Sequence, residues 1–269
     1  MILTNSETQD FKKCRLLWDF RWVQGLERIT KTPELDKGSL IHQCLQFYYE
    51  QLVAYRDSWC LPERFKVLFK EKIETYEREL LARGLLDELN ELKPRWSKVY
   101  REGVSVLEGY HDRWQDTFET VLIEQRLVAD IAPTLSLSFK PDLVFREAGS
   151  LWLMEHKSGR TASLTTYTID SQSALYIGGL RLLGYDVVGC VYNLLGDKLS
   201  RYKIIRTGEV AFAMDNFQKV AKDMENPAIY DNWDWQCYSR CPYRELCIMK
   251  HQGYETTEHT LFIKKVKDD

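Results

Sequence analysis

The amino-acid sequence predicts an α/β fold with a mixed sheet, a helical region ahead of it and a C-terminal segment organised by cysteines. Three observations carry that expectation. Apolar residues recur at helical spacing up to about residue 119 and at strand spacing from Thr120 onward. A helical pattern returns between strands near 168–185, and Cys237, Cys241 and Cys247 crowd together near the end of the chain. The 269 residues, 44% hydrophobic and 29% charged, suffice to bury a core without disulfides and exclude disordered or collagen-like classes. No run approaches the roughly 20 apolar residues of a membrane span. The opening MILTNSETQD lacks the basic and apolar regions of a secretory signal, so a cytoplasmic chain without membrane association is expected. A net charge of −3 neither announces nor excludes a polyanionic partner, because a lined channel acts only within a Debye length of about 8–10 Å. The cysteines number seven, an odd count in a chain without a secretory signal, and point to metal chemistry before disulfides.

Each element follows in order. Residues 6–22 open with a serine cap and mix aromatic and basic side chains at helical spacing, a short helix carrying Cys14. After turn signals at Thr32-Pro33 and Asp36-Lys37-Gly38, Leu40, Ile41, Cys44, Leu45, Tyr48, Leu52 and Tyr55 share one broad helical face. Residues 63–90 and 94–119 repeat that texture as two amphipathic helices. Three strands then follow, over 120–130, 134–147 and 150–160, with Glu147-Ala148-Gly149-Ser150 closing a hairpin between the last two. Asp170-Ser171 cap a helix that Gly184 closes, 186–195 and 201–207 are further strands, and a helix near 211–225 precedes the cysteine segment. One domain over 1–269 is expected, comprising an N-terminal segment (1–30), a helical region (36–119), a sheet with its helix (120–210) and a C-terminal portion (211–269).

In the hairpin, placing Phe145 near Leu151 sets Asp142 opposite Met154 or Glu155. Strand alternation puts Glu155 and Lys157 on one face and His156 on the other. Two close carboxylates repel; a divalent cation such as Mg²⁺ relieves the repulsion and keeps waters it can activate. A neighbouring ammonium can orient a hydroxide and offset charge developing on a phosphoryl group. Such trios also occur on the solvent faces of ordinary hairpins. Weighing toward chemistry, Glu155 follows LWLM, a buried-strand run where an unpaired charge is costly. His42, by itself, reads first as a packed or surface histidine. Gln172 and Tyr176, four apart, share a helical face and also read as a capping-region residue and a core tyrosine.

On these residues the sequence resembles the PD-(D/E)xK nucleases, specifically the RecB-like branch with an iron–sulfur cluster, similar to AddB-type nuclease domains and CRISPR-adaptation exonucleases. The resemblance spans most of the chain. Its signature is an acid on one strand and E-x-K on the next, here Lys140-Pro141-Asp142 and Glu155-His156-Lys157; SFKPD stands where many members have G-x-x-D. Gly38-Ser39-Leu40-Ile41-His42 matches the family's G-x-x-x-H, and Gln172 with Tyr176 its Q-x-x-x-Y. The resemblance implies a restriction-endonuclease-like αβββαβ core with a mixed sheet and a helical insertion near the N-terminus. It further implies Mg²⁺ or Mn²⁺ held by His42, Asp142, Glu155 and the His156 main-chain carbonyl, with Lys157 assisting the nucleophile and Gln172 and Tyr176 positioning the phosphate. Glu124 is a weaker candidate, since family members often carry an acid on the preceding strand.

Thiolates as close as Cys237, Cys241 and Cys247 wrap a soft centre, zinc or an iron–sulfur cluster, and need a fourth ligand. Cys44, Cys60 and Cys190 read as small hydrophobes, which leaves Cys14, or His251 for zinc. The resemblance implies a 4Fe-4S cluster on Cys14, Cys237, Cys241 and Cys247 that joins the two ends of the chain, with Zn²⁺ as the alternative. Three residues separate Cys237 from Cys241 where the family has two. Lys12, Lys13, Arg15, Arg240 and Arg244, with Phe11, Trp18, Trp235, Tyr238 and Tyr243, flank these cysteines. Lys93, Arg95, Lys98 and Arg101 make a second basic stripe. Cations with aromatic faces suit single-stranded nucleic acid. The expected function is a metal-dependent DNA nuclease, an exonuclease on single strands or ends, partnered within a recombination, repair or CRISPR complex. The alternatives are a catalytically inactive nuclease-fold DNA-binding or scaffold subunit, and an unrelated zinc-stapled module.

Overall fold

A computed structural model describes residues 1–54, 61–158, 164–196, 199–239, 241–256 and 259–264; Cys60 and Arg240 lie outside the described residues. From the N-terminus, β1 (Ile2–Leu3) leads into α1 (Asn5–Lys13), where the Thr4 side chain caps the first turn by accepting from the Glu7 N–H. The single helix expected over 6–22 breaks at Cys14, whose backbone is extended (φ −159°, ψ 122°), and the chain resumes as α2 (Arg15–Trp18) and a π-helical turn over Asp19–Val23. Next come β2 (Leu26–Arg28), α3 (Pro33–Ala54), α4 (Leu61–Ala82), α5 (Leu86–Glu108) and the one-turn α6 (Tyr110–Arg113). The boundary between the two long amphipathic helices falls at Gly84, whose φ of +70° ends α4, and not before Pro94. Pro94 lies inside α5, where Leu89, Leu92, Trp96 and Val99 carry the buried stripe past it. The helical pattern stops at Arg113, short of the expected 119.

The runs expected as single strands over 120–130 and 134–147 each divide in two. They become β3 (Glu119–Ile123), β4 (Leu127–Ala132), β5 (Leu135–Phe139) and β6 (Leu143–Glu147). Glu124, at φ 47°, turns the chain out of β3, and Pro141, with no N–H to donate to a ladder, separates β5 from β6. Then follow β7 (Ser150–Lys157), α7 (Leu164–Thr168), α8 (Ser171–Leu182), β8 (Val187–Leu195), β9 (Leu199–Ile205), α9 (Gly208–Asp223), α10 (Trp235–Ser239), α11 (Arg244–His251) and β10 (Phe262–Lys264).

The main sheet has the order β3-β6-β7-β8-β9, with β7 and β8 parallel across α8 and the other neighbours antiparallel. A smaller sheet has the order β1-β5-β4, and β10 pairs with β2. Read through α3, β3, β6, β7, α8 and β8, the order is αβββαβ with the β4–β5 hairpin inserted, consistent with a restriction-endonuclease-like fold. Alternation along the strands builds two cores. Val144, Leu153, Tyr192 and Leu194 pack on the side of α8 and α9. Leu143, Phe145, Met154, Val191 and Leu195 pack on the side of α3, α4 and α5. The same parity sends Glu155 and Lys157 toward α8 and His156 toward α3. A third cluster, including Leu16, Leu17, Phe20, Tyr243 and Phe262, joins the chain ends. No described helix is long and apolar enough to cross a membrane.

Candidate active site

The register of β6 on β7 builds the site. Leu143 pairs with Met154 and Phe145 with Trp152, one residue from the expected partner Leu151, so Asp142 leaves the ladder beside Glu155. Asp142 Oδ2 accepts the His156 N–H at 2.7 Å, and Oδ1 lies 3.3 Å from His42 Nδ1. On β7, Lys157 Nζ donates to Glu155 Oε2 at 3.2 Å and to Gln172 Oε1 at 3.3 Å. Gln172 Nε2 completes the triangle by donating to Glu155 Oε2 at 2.9 Å. The Asp170 side chain caps α8 through the Gln172 N–H and thereby fixes where Gln172 starts. Tyr176, one turn on, packs against Phe139 with ring centroids 5.4 Å apart.

α3 brings His42 to the opposite side of Asp142. His42 Nε2 donates to the His156 carbonyl at 3.1 Å, while Nδ1 sits between Asp142 and Glu124 Oε1, 3.4 Å from the latter. The glycine of G-x-x-x-H has a steric reason to be there: a Cβ on Gly38 would lie 2.9 Å from Ser158 Oγ, next to the catalytic candidate Lys157. Gly38→Val is therefore expected to cost about 1–3 kcal/mol through overpacking, and Ser158→Gly in the same chain to recover most of it. Denaturant titration of wild type and the two variants checks this; a Gly38→Val chain as stable as wild type sinks it.

Glu124 is the residue that sequence reasoning underweighted. Its left-handed backbone turns the carboxylate inward, its N–H donates to the Asp142 carbonyl at 3.0 Å, and Lys140 Nζ lies 2.5 Å from Oε2. A non-glycine residue at positive φ marks stored strain, and no local sequence pattern announces it. His42, Glu124 and Asp142 offer ligand atoms within 4.8 Å of one another. Among the described residues the buried Glu155 Oε1 accepts no hydrogen bond, and Glu124 Oε1 has only the His42 Nδ1 contact at 3.4 Å.

The electrostatics follow from burial and mutual proximity. Burial alone lowers the pKa of His42, but the charges of Asp142 and Glu124 outweigh it and lift it to about 10. Burial raises Asp142, yet His42 holds it below the ordinary carboxylate range. Burial and the Asp142 charge push Glu155 well up. For Lys157, burial is outweighed by Glu155, Asp170 and Asp142, so its pKa rises and it remains an ammonium. Burial holds His156 down, to about 3, as a neutral ring.

One consequence concerns pH. Folded His42 titrates near 10, against about 6.5 in an unfolded chain. Its ion-pair contribution is therefore complete below pH 6.5 and lost as pH rises through 10. Thermal melts of the chain stripped of divalent ions should show Tm falling across that window, and His42→Asn should flatten the fall. An equal slope in both chains overturns the assignment.

The family model described as the PD-(D/E)XK nuclease superfamily matches residues 3–248. The chain belongs to that superfamily. No curated protein matches it. Among solved structures, SSO0001 is similar at 14% identity, covering 78% of this chain and 95% of that one, with a TM-score of 0.31. A Eubacterium rectale protein described as a candidate exonuclease is similar at 9% identity, covering 89% of this chain and 99% of that one, with a TM-score of 0.32. Likenesses so distant carry no functional argument.

Within this PD-(D/E)XK chain, His42, Glu124, Lys140 and Asp142 line a cleft of about 2010 Å³ together with Lys98 and Arg101 of α5. Three of the four cations of the expected basic stripe face acids: Lys93 pairs with Glu77 at 3.5 Å, Arg95 with Glu34 at 2.8 Å and Lys98 with Glu102 at 3.9 Å. Cys14, Cys237, Cys241 and Cys247 line one small cavity, walled by Leu16, Leu17 and Phe20. Burial, Asp231 and the neighbouring thiols push Cys247 up to about 11, and burial likewise raises Cys241. Cys44 and Cys190 are core residues. His251 Nε2 is hydrogen-bonded to Asp231 Oδ2 at 2.9 Å, and the two group with Cys247 as a second candidate ligand set. Of the aromatic residues expected to contact nucleic acid, Phe11, Trp18 and Tyr243 are instead buried, because they fill the cores beneath the cysteines. Trp235 and Tyr238 are exposed, as are Tyr230 and Trp233, which the sequence did not single out.

Proposed function

We propose that the chain is a divalent-metal-dependent DNA nuclease, one domain that hydrolyses phosphodiester bonds as an exonuclease on single strands or DNA ends. The observation that carries this reading is the buried Glu155 Oε1, which has no donor among the described residues, beside Asp142 and Glu124, whose carboxylates converge on one His42 nitrogen. Buried carboxylate oxygens are satisfied by donors or by cations; here one imidazole nitrogen serves both Asp142 and Glu124, and Glu155 Oε1 has no donor among the described residues. Carboxylates, an imidazole and a main-chain carbonyl are the donor set that Mg²⁺ or Mn²⁺ accepts. His42, Asp142, Glu155 and the His156 carbonyl would hold the ion, with Glu124 as a further ligand. The bound ion would polarise a phosphoryl oxygen and lower the pKa of a water.

The protein's own groups do the rest. Lys157 acts by charge on the attacking water or the phosphoryl oxygens and not as a base, because its ammonium does not give up a proton near neutral pH. Gln172 holds both Lys157 and Glu155 in place, and Gln172 and Tyr176 would position the phosphate. The cleft combines Lys98 and Arg101 with Leu199 and Tyr202 of β9, a mixture that suits backbone phosphates and unpaired bases together. At the other end of the chain, four convergent thiols fit a soft centre. Cys14, Cys237, Cys241 and Cys247 would hold a 4Fe-4S cluster, or Zn²⁺, that staples the chain ends.

End-labelled linear and circular single strands incubated with Mg²⁺ or Mn²⁺ test the nuclease. Degradation of the linear substrate alone, absent in Glu155→Ala, supports the exonuclease. If wild-type protein leaves every DNA intact, the scaffold reading stands instead. A brown preparation with iron and sulfide supports the cluster, and a colourless one with zinc the alternative.

A further inference from the structure

His156 occupies the variable position between the acid and the lysine of the E-x-K motif, and its ring points away from them, into the core beneath α3. That ring is held on every side. Tyr49 of α3 stacks on it with ring planes 4° apart and centroids at 5.8 Å. Asn193 of β8 places Nδ2 2.8 Å from His156 Nδ1. The orientation of the Asn193 amide is set in turn, because Arg201 Nε, which can only donate, meets Asn193 Oδ1 at 3.3 Å. Asn193 therefore donates to His156 Nδ1, and a neutral ring carries its proton on Nε2.

Behind these contacts lies a closed polar network. Asn193 Nδ2 also donates to Tyr110 Oη at 2.7 Å, the Tyr49 and Tyr110 hydroxyls are 2.7 Å apart, and Arg201 donates to both. Arg201 grips Asp116 with two hydrogen bonds, at 2.5 and 2.8 Å. Asn193, Tyr49 and Tyr110 are wholly or almost wholly buried. The network draws on α3, α6, the connection at 114–118, β8 and β9, and it meets β7 at His156.

His42 and Tyr49 are seven residues, two turns, apart on α3, and both touch His156: His42 reaches its carbonyl at 3.1 Å and Tyr49 its ring. The same residue donates its N–H to Asp142 at 2.7 Å. We propose that the His156 side chain, locked by Asn193 and Tyr49, is a positioning residue that registers α3 against β7 and so sets the spacing of His42, Asp142 and the His156 carbonyl around a divalent cation. The proposal rests on the metal-dependent reading above, but it concerns a residue that motif treats as arbitrary and a network that touches neither substrate nor reacting atoms. Loss of an outer partner that orients metal ligands commonly costs about 10–100-fold in metal affinity.

Calorimetric titration of the full chain with Mn²⁺ alone, beside thermal melts, tests it. Asn193→Leu, close in size but unable to donate, is expected to raise the Mn²⁺ dissociation constant at least about tenfold. Tyr49→Phe keeps the stacked ring and removes only the shared hydroxyl; it should weaken Mn²⁺ binding by a smaller factor, and it decides the matter if Asn193→Leu does not fold. Phe217→Leu, buried in α9 on the other side of the sheet, should lower Tm without changing Mn²⁺ affinity. Unchanged affinity in the network variants overturns the proposal, as does an equal loss in Phe217→Leu, which would reduce the effect to general stability. A wild-type chain that takes up no Mn²⁺ overturns both this inference and the metal-dependent reading, whereas wild-type uptake with indifferent network variants overturns this one alone.

Discussion

Glu155→Gln is expected to leave the metal-free fold nearly intact and to reduce DNA cleavage by at least about 10³-fold, equivalent to about 4 kcal/mol of transition-state stabilisation. The two effects separate for a physical reason. Burial and the Asp142 charge push the Glu155 pKa up, so a neutral amide relieves that cost, while Asp170 and Asp142 still face the Lys157 ammonium. Its Oε1 has no donor to lose, and the amide oxygen can still accept from Lys157. A cation, in contrast, needs the carboxylate's charge to displace its own water. Cleavage of end-labelled single strands with Mg²⁺ or Mn²⁺, beside the thermal melt without metal, measures both. A variant that retains a tenth of wild-type cleavage would remove Glu155 from the machinery. Lys157→Ala should fall by about 10²–10³-fold while sparing DNA binding, since the ammonium acts during the chemical step.

Cys14→Ser is the second change with a large expected effect. Cys14 lies in the break between α1 and α2, and the three other cysteines sit more than two hundred residues later, so a shared metal would close nearly the whole chain into a loop. Besides the apolar cluster of Leu16, Leu17, Phe20, Tyr243 and Phe262, few hydrogen bonds tie the two ends. Asn232 Nδ2 donates to the Lys13 carbonyl at 3.0 Å, the Leu16 N–H donates to the Tyr230 carbonyl at 3.0 Å, and β10 pairs with β2 over three residues. Structural metal sites contribute several kcal/mol or more to folding. A loss of about 4 kcal/mol corresponds to a Tm drop of roughly 8–16 °C in a chain of this size. Metal content should fall with it. A Cys14→Ser protein with wild-type Tm and wild-type metal content would exclude Cys14 as a ligand.

The extent to which the site was legible varies from residue to residue. Asp142, Glu155 and Lys157 converge as the hairpin pattern implied, because strand alternation and a short polar turn are local rules that leave little freedom. The cysteine segment was legible for a similar reason: three thiols so close in sequence stay close in space, and Cys14 joins them in one cavity. Glu124 was not legible, since its direction depends on one positive φ that ends β3. Nor were the split strands, because an apolar alternating run does not reveal that its two halves pair in different sheets. The basic stripe was half informative: Lys98 and Arg101 line the cleft, but acids on other turns and helices pair with Lys93, Arg95 and Lys98.

By itself, the sequence determined the long helices, the acid and E-x-K hairpin and the crowded cysteines, which follow from periodicity and from spacing within a few residues, while the part given to His42 came from the family resemblance. Only the tertiary structure decided that Glu124 joins His42 and Asp142, that Gln172 bridges Glu155 and Lys157, and that the His156 ring is locked beneath α3. Those contacts bring together residues up to 114 positions apart; their geometry depends on how the helices dock on the sheet, and docking is set by the summed packing of many side chains that no local pattern encodes.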